Sequence, residues 1–363
     1  MEMQMRKRKL ILFIVSAILL IILAAGGFLL FLTITDFRPE KVKELRVMYG
    51  ENLPSFNDSV VTIFTWNIGY GGLGKEMDFF HEGGTMVRPD TKKFHDYFEG
   101  ISDLVKKYNT MDFIFIQEVD RHSKRSYYLD EARELAVNLE TRGFSFAKNY
   151  DCRYVPVPLN EPMGRVMSGI ATYTRFKPSS AERIDYETRF SWPTDMVMLK
   201  RCFLVMRFPL ASGKEWVLIN THNSVFDSGA VLRRKELKLL HSYVMNDFNK
   251  GNYVIIGGDW NMNPRGFIPD SVKTGDKVRR NYPPIGDDFL PGWQFVFDNS
   301  RPSNRDVNEP YVLGKTYTTI IDFFVLSPNL EPVSVNTIPA EFANSDHLPV
   351  VMKARVRSNR VTK

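Results

Sequence analysis

Tyr253-Val254-Ile255-Ile256-Gly257-Gly258-Asp259-Trp260-Asn261 is the stretch that decides how the chain is read. Tyr253 to Ile256 form a short apolar, β-branched run, which is the composition of a buried strand. The two glycines that follow let the backbone turn and a ligand approach closely. Asp259 and Asn261 then stand at the carboxyl end of the strand, two residues apart. If the extended geometry continues, both side chains point the same way. A carboxylate and an amide projecting together suit a water or a phosphate oxygen. A plain Asp/Asn loop after a strand fits equally well, so this stretch alone leaves function open.

The same arrangement recurs along the chain. Val60 to Trp66 reads as a strand and delivers Asn67, ahead of a loop rich in Gly69, Gly71, Gly72 and Gly74. Phe113 to Gln117 is a second buried strand and ends in Glu118. Trp216 to Asn220 ends in Thr221-His222, and Asp346-His347 immediately precedes Leu348 to Met352. Asp322 lies inside the apolar run Ile320 to Leu326, where an unpaired carboxylate would be costly. Gly169 to Thr174 and Arg201 to Phe208 complete the expected strands. Apolar residues at helical spacing between Lys92 and Tyr108 predict one helix. Two more are expected from about Asp130 to Arg142, stopped at Gly143, and from about Ala230 to Phe248. Residues 262–292 carry many Pro and Gly and read as a long surface loop. Strands interleaved with helices indicate an α/β layered domain over residues 58–357. A single polar residue at a strand end is usually a cap or a turn. So many together, at the ends where α/β folds gather ligands, argue for a site.

The N-terminus carries a different signal. Leu10 to Leu32 is an apolar run of about 23 residues, long enough to span a bilayer. Arg6, Lys7, Arg8 and Lys9 precede it, and the positive-inside rule places residues 1–9 in the cytoplasm. A cleaved signal peptide is the rival reading, but its apolar region is shorter, and here Ala24-Ala25-Gly26-Gly27 is followed by more Phe and Leu. The expectation is therefore an uncleaved signal anchor over 10–32, a polar linker over 33–57 and a domain outside the cytoplasm. A basic tail follows over 358–363. The net charge of +6 is half accounted for by residues 1–35, so the domain is too weakly basic to advertise nucleic-acid binding. Two cysteines, Cys152 and Cys202, make neither a disulfide framework nor a zinc site. One bridge, or two buried thiols, both fit.

The stretches Thr65-Trp66-Asn67, Ile116-Gln117-Glu118, Asn220-Thr221-His222, Gly258-Asp259-Trp260-Asn261, Ile321-Asp322-Phe323-Phe324 and Ser345-Asp346-His347-Leu348-Pro349, in this order, resemble the endonuclease/exonuclease/phosphatase superfamily. The resemblance covers nearly all of residues 60–353. It implies a four-layer α/β sandwich, two mixed β-sheets packed face to face with helices outside, and metal-dependent cleavage of phosphate esters. Such chemistry needs an activated water, a cation for the phosphoryl oxygens and a proton for the leaving oxygen. Glu118 resembles the family's principal metal ligand, with Asn67 beside it and Asp346 facing the metal. A carboxylate/amide site suits Mg²⁺, with Mn²⁺ a workable substitute. His347 resembles the general base, and Asp322 the carboxylate that fixes its tautomer. Asp259 and Asn261 would orient the attacking water, and His222 would donate to the phosphate or the leaving oxygen. Arg165 and Ser168 are further candidate phosphate contacts.

The substrate is less constrained. The phosphoinositide branch carries Trp-Cys-Asp-Arg where this chain has Ile320-Ile321-Asp322-Phe323, which argues against it. His222 leans towards the deoxyribonuclease and sphingomyelinase branches, and the whole is similar to bacterial membrane-anchored members. The expected partners are the membrane, through the N-terminal helix, and a phosphodiester, with a lipid head group placed ahead of nucleic acid. No protein partner is evident. A phosphomonoesterase and a catalytically dead envelope-binding module remain as alternatives. The latter would have lost one of Glu118, Asp259, Asp322 or His347, and all four are present.

Overall fold

Alternation of side chains along the strands sorts the apolar residues into three layers. The computed structural model describes residues 1–139, 142–225, 231–268 and 282–358. Parts of the expected Asp130–Arg142 helix, the start of the Ala230 helix, the 262–292 loop and the basic tail lie outside the described residues.

One sheet has seven strands in the order β1 (Val42–Glu44), β6 (Ser180–Asp185), β7 (Cys202–Pro209), β8 (Glu215–His222), β9 (Tyr253–Asp259), β13 (Asp322–Leu326) and β10 (Gln294–Val296). The other has six, in the order β14 (Leu330–Thr337), β15 (Val350–Val356), β2 (Val60–Asn67), β3 (Phe113–Asp120), β5 (Gly164–Thr174) and β4 (Gly143–Val155). A short pair, β11 (Asn304–Arg305) and β12 (Thr318–Thr319), stands apart. The pairs β2/β3 and β8/β9 are parallel and the others antiparallel, so both sheets are mixed.

Trp216, Leu218, Ile255 and Phe324 of one sheet meet Val61, Ile63, Phe113 and Phe115 of the other in the central layer. Their sequence neighbours face outward. Val217, Ile219, Val254 and Ile256 pack under helix α4 (Val231–Asn249), together with Leu240 and Val244. Phe64, Trp66, Ile114 and Ile116 pack under α2 (Thr91–Lys107) and α3 (Glu131–Asn138), against Phe98, Ile101 and Leu135. Asp90 and Asp130 cap α2 and α3 through Lys93 N and Arg133 N. Two mixed sheets flanked by helices are the architecture expected from the sequence.

Helix α1 (Glu2–Ile34) is long and apolar enough to cross a membrane by length and composition. Only its last turns touch the domain, with Leu32 buried against Val155, Met163 and Met196. The segment after it departs from the expected linker. β1 pairs with β6 at the edge of the seven-stranded sheet, Met48 bridges Phe144, and Phe56 is buried in the central layer. Three exposed strand residues and a lone aromatic gave no periodic signal. Asp322 also differs: it is the first residue of β13, and Trp260 N bonds Ile321 O at 2.9 Å just before it. Cys152 and Cys202 are both buried and free.

Candidate active site

Register puts three titratable side chains in a row. His222 on β8 is paired with Asp259 on β9, and Asp259 with Asp322 on β13. The row requires Gly258. Its φ is +139°, and a Cβ there would meet Thr221 O at 2.1 Å. Facing this row across the sandwich are the ends of β2 and β3, where Asn67 is paired with Gln117. Glu118 follows on a β-bulge with φ +54°, a conformation that costs a non-glycine residue about 1–3 kcal/mol and re-aims its side chain. Beneath the site the sheets are joined by polar contacts: Gln117 Nε2 donates to Asn220 Oδ1 at 2.7 Å, and Asn220 Nδ2 donates to Ala171 O at 2.9 Å.

His347 reaches the row from the turn before β15. Trp66 Nε1 donates to His347 O at 2.9 Å, and Ser345 Oγ donates to Asn67 O at 2.8 Å, tying this turn to the end of β2. His347 Nδ1 lies 2.8 Å from Asp322 Oδ2, which also accepts Ser303 Oγ at 2.8 Å. This fixes the Nδ1–H tautomer and leaves Nε2 facing the site. Nε2 lies 3.0 Å from Asn304 Nδ2, 3.8 Å from Asp259 Oδ2 and 3.9 Å from Asp346 Oδ2. The Asn304 amide serves either charge state, since Nδ2 donates to a neutral imidazole and, turned over, Oδ1 accepts from an imidazolium.

Asp259 is held by Asn67 Nδ2 at 3.0 Å and accepts Asn261 N at 2.9 Å. Asn261 does not continue the extended strand. Its φ is +50°, and it closes a turn on Asp259 while its Nδ2 donates to Asn223 O at 3.0 Å. His222 Nε2 stands 3.3 Å from Asp259 Oδ2 and 3.8 Å from Glu118 Oε1.

Electrostatics separate these groups into roles. Burial pushes the His222 pKa far down, helped by Arg201 and His347, so this imidazole is neutral. Burial opposes charge on His347 too, but the carboxylates of Asp322, Asp346 and Asp259 outweigh it and push its pKa up to about 10. Burial raises Asp259 to about 7, with Asp322 adding to the rise. Burial and the neighbouring Asp346 raise Glu118. Carboxylates crowded with so little positive charge form a set that a divalent cation would relieve. Two donor sets are available. Asp259, Asp322 and His347 each offer a ligand atom, all within 4.8 Å of one another. In that set, however, His347 Nδ1 and Asp322 Oδ2 already satisfy each other. Glu118 and Asp346 are the other carboxylates lining the cavity, near enough for Asp346 to raise the Glu118 pKa.

A cavity of about 340 Å³ gathers Glu118, Ser168, His222, Asp259, Asn261, Asp346 and His347. Asn67 and Asp322 stand behind its wall, holding Asp259 and His347. Arg165 is not brought to it, because its guanidinium is engaged by Asp151 on β4. The expected phosphate contact is therefore not brought to the cavity, since β5 turns Arg165 toward the neighbouring strand. Two other cations line the cavity instead. Arg125 stacks on Tyr70, 3.6 Å from the ring centroid, and is held bidentately by Asp120 at 2.9 Å. Arg201 is 5% exposed, and its Nη1 has no hydrogen-bond partner among the described residues. Sequence reasoning missed Arg201 by counting it into a strand. It missed Asn304 because no apolar run announces it.

Residues 64–347 match the sequence pattern of the Endonuclease/Exonuclease/phosphatase family. No curated protein matches the sequence. Among solved structures, the chain is similar to an endonuclease/exonuclease/phosphatase from Beutenbergia cavernae, with TM-score 0.53, 16% identity, and 82% of this chain and 72% of that chain covered. It is also similar to ANGEL2, a 2',3'-cyclic phosphatase in complex with adenosine-2',3'-vanadate, with TM-score 0.52, 13% identity, and 88% and 99% covered. A third is TDP2 from D. rerio complexed with a single-strand DNA product, with TM-score 0.50, 15% identity, and 82% and 100% covered. At these identities the likeness is one of fold.

Proposed function

The chain belongs to the endonuclease/exonuclease/phosphatase family, whose members are phosphoester hydrolases that use divalent metals, and on that premise we propose a membrane-anchored, Mg²⁺-dependent phosphodiesterase acting on a lipid phosphodiester. The observation that carries this reading is a single cavity with two unlike ends. One end holds Glu118, Asp346, Asp259 and His347, the last backed by Asp322. The other is lined by Val155, Val157, Met163, Val197 and Leu199, which suit an acyl chain better than a nucleotide.

In this reading Glu118 and Asp346 hold the cation, with Asn67 steadying Asp259 beside them. When bound, Mg²⁺ or Mn²⁺ supplies charge neutralisation for the phosphoryl oxygens. With Asp346, one of the carboxylates that raise the His347 pKa, offset by the cation, the neutral imidazole is favoured, and its Nε2 takes the proton of the attacking water while Asp322 stabilises the resulting imidazolium through Nδ1–H. Asp259 and Asn261 orient that water. The neutral His222 donates a hydrogen bond from Nε2 to the leaving oxygen, which takes its proton from solvent water, and Arg201 with Ser168 contacts the phosphate. The catalytic domain then spans residues 36–357, on the side of the membrane opposite Arg6–Lys9.

The test is hydrolysis by the full chain in detergent, with and without Mg²⁺ or Mn²⁺. Sphingomyelin, plasmid DNA, an aryl phosphodiester and an aryl phosphomonoester are compared side by side. Metal-dependent cleavage of the lipid supports the reading. Cleavage of DNA alone replaces it with a nuclease, and release of inorganic phosphate from a monoester replaces it with a phosphatase. No turnover of any substrate by the folded chain leaves a binding module.

A further inference from the structure

The apolar end of the cavity adjoins the end of α1. Leu32 is buried among Val155, Met163 and Met196, with Phe28 and Leu29 packed on the same cluster. The ring of Tyr154 meets that of Phe28, with centroids 6.1 Å apart. Phe28 lies one helical turn inside the apolar run ending at Leu32, about 6 Å along the axis. Groups that touch it therefore sit below the level at which α1 leaves the hydrocarbon.

Two loops flank this point, and both expose apolar side chains. The β4–β5 hairpin tip carries Tyr154, 40% exposed, Val157, 37%, and Leu159, 87%. The loop before β7 carries Trp192, 64% exposed, and includes Thr194–Val197, which packs on α1 through Met196. Charge at the tip is confined to Arg153, with a stem that can lie along the apolar surface, and Glu161, 3.7 Å from Arg88. Val157 is both exposed and part of the cavity lining, so the mouth of the cavity opens at the hairpin. Isolated apolar side chains on a surface are ordinary. A cluster around the exit of a membrane-length helix, at the mouth of a catalytic cavity, is a different arrangement.

We propose that the hairpin tip and the Trp192 loop form a rim embedded in the leaflet from which α1 emerges. The rim seats the cavity mouth at head-group depth, so that a phospholipid enters phosphate first and keeps its acyl portion against Val157, Met163, Val197 and Leu199. This rests on the membrane-anchored phosphodiesterase reading above. α1 supplies the tether, and the rim supplies the orientation.

The test uses the full chain reconstituted in equimolar phosphatidylcholine and sphingomyelin vesicles. Trp66, Trp216, Trp260 and Trp293 are buried, so Trp192 is the tryptophan open to quenching. Phosphatidylcholine brominated on its acyl chains should quench part of the emission, and Trp192→Phe should remove that part. Equal quenching in the two proteins overturns the rim. In addition, Leu159→Asp with Trp192→Asp should slow hydrolysis of vesicle sphingomyelin by about tenfold or more, the scale of removing two apolar groups from an interface. Hydrolysis of a soluble aryl phosphodiester should stay within about twofold, since neither residue lines the cavity. Equal loss on both substrates, with Leu159→Phe and Trp192→Phe restoring neither, also overturns it. If the parent chain cleaves the aryl diester but no lipid, the substrate class fails while quenching still judges the rim. If it cleaves neither, the phosphodiesterase reading itself fails.

Discussion

His347 concentrates the chemistry of the site. Its Nδ1 is fixed by Asp322 and its Nε2 faces the cavity, so under the proposed mechanism replacing it would remove the proton acceptor and leave the proposed phosphate contacts in place. His347→Ala should lower kcat by roughly 10²–10⁴-fold with little change in KM. Unchanged turnover would remove the residue from the mechanism. Glu118→Gln keeps the bulge and the shape but withdraws a charge. It should move the Mg²⁺ dependence of turnover to higher concentration, and an identical titration rejects the ligand role. Arg201→Met should cost about 1.5–3 kcal/mol of transition-state binding, the worth of a charged hydrogen bond, read as roughly 10–150-fold in kcat/KM. A change within twofold assigns the guanidinium to structure. Asp259, His222 and Glu118 were legible because each ends an apolar run, and a polar residue there has few places to point. Arg201 was not legible, since it lies just before β7, at the start of the apolar run rather than at its end, and its charge reads as an ordinary edge residue. Asn304 was not legible either, since β11 is two residues long and carries no hydrophobic pattern.

At the scale of elements, the site depends on how closely β8 and β9 lie together. Gly258 permits that approach, since its φ of +139° and the 2.1 Å from a built Cβ to Thr221 O leave no room for a side chain. Gly258→Ala should destabilise the domain by about 2–6 kcal/mol, combining backbone strain with overpacking. The readout is the denaturation midpoint of the full chain in detergent, and a midpoint equal to the parent's refutes the argument. α4 contributes through two buried charged residues, Arg233, whose Nη1 donates to Asn261 O at 3.1 Å, and Glu236. Glu236 accepts Ser224 N at 2.9 Å and Asn223 Nδ2 at 3.2 Å, and Asn223 O in turn receives Asn261. The strands were readable from period-2 burial and the helices from their apolar faces. The 36–57 segment was not, because β1 is exposed throughout and joins the sheet by backbone hydrogen bonds alone, which leave no trace in side-chain pattern. The left-handed turn at Asn261 was hidden for a related reason. Asn tolerates positive φ by bonding locally, and nothing in Asp259-Trp260-Asn261 distinguishes that from a continued strand.

For the whole molecule the decisive quantity is which side of the membrane the cavity faces. α1 has 33 residues, about 50 Å of helix, against a hydrocarbon core of about 30 Å, so in the proposed membrane-spanning arrangement its first turns would extend through the head groups. Those turns carry Arg6, Lys7, Arg8 and Lys9. The inverted orientation would carry four cations across the bilayer against the membrane potential. Glu2 would cross with them, leaving a net charge of +3, so at about 2.3 kcal/mol per charge per 100 mV inversion is opposed by roughly 7 kcal/mol, before any desolvation. Nothing at the other end of α1 compensates. Arg38 is paired with Asp36 at 3.4 Å, and Lys41 with Glu187 at 2.7 Å, so the cations nearest the exit are locally neutralised. A reporter enzyme fused after the C-terminus and active only outside the cytoplasm should therefore give signal. A cytoplasm-only reporter at the same position should give none. Exchanging Arg6, Lys7, Arg8 and Lys9 for Gln should reduce the outside signal by weakening the bias. The opposite pattern in the parent chain would place the cavity in the cytoplasm. It would leave the chemistry of the site untouched and change which leaflet supplies its substrate.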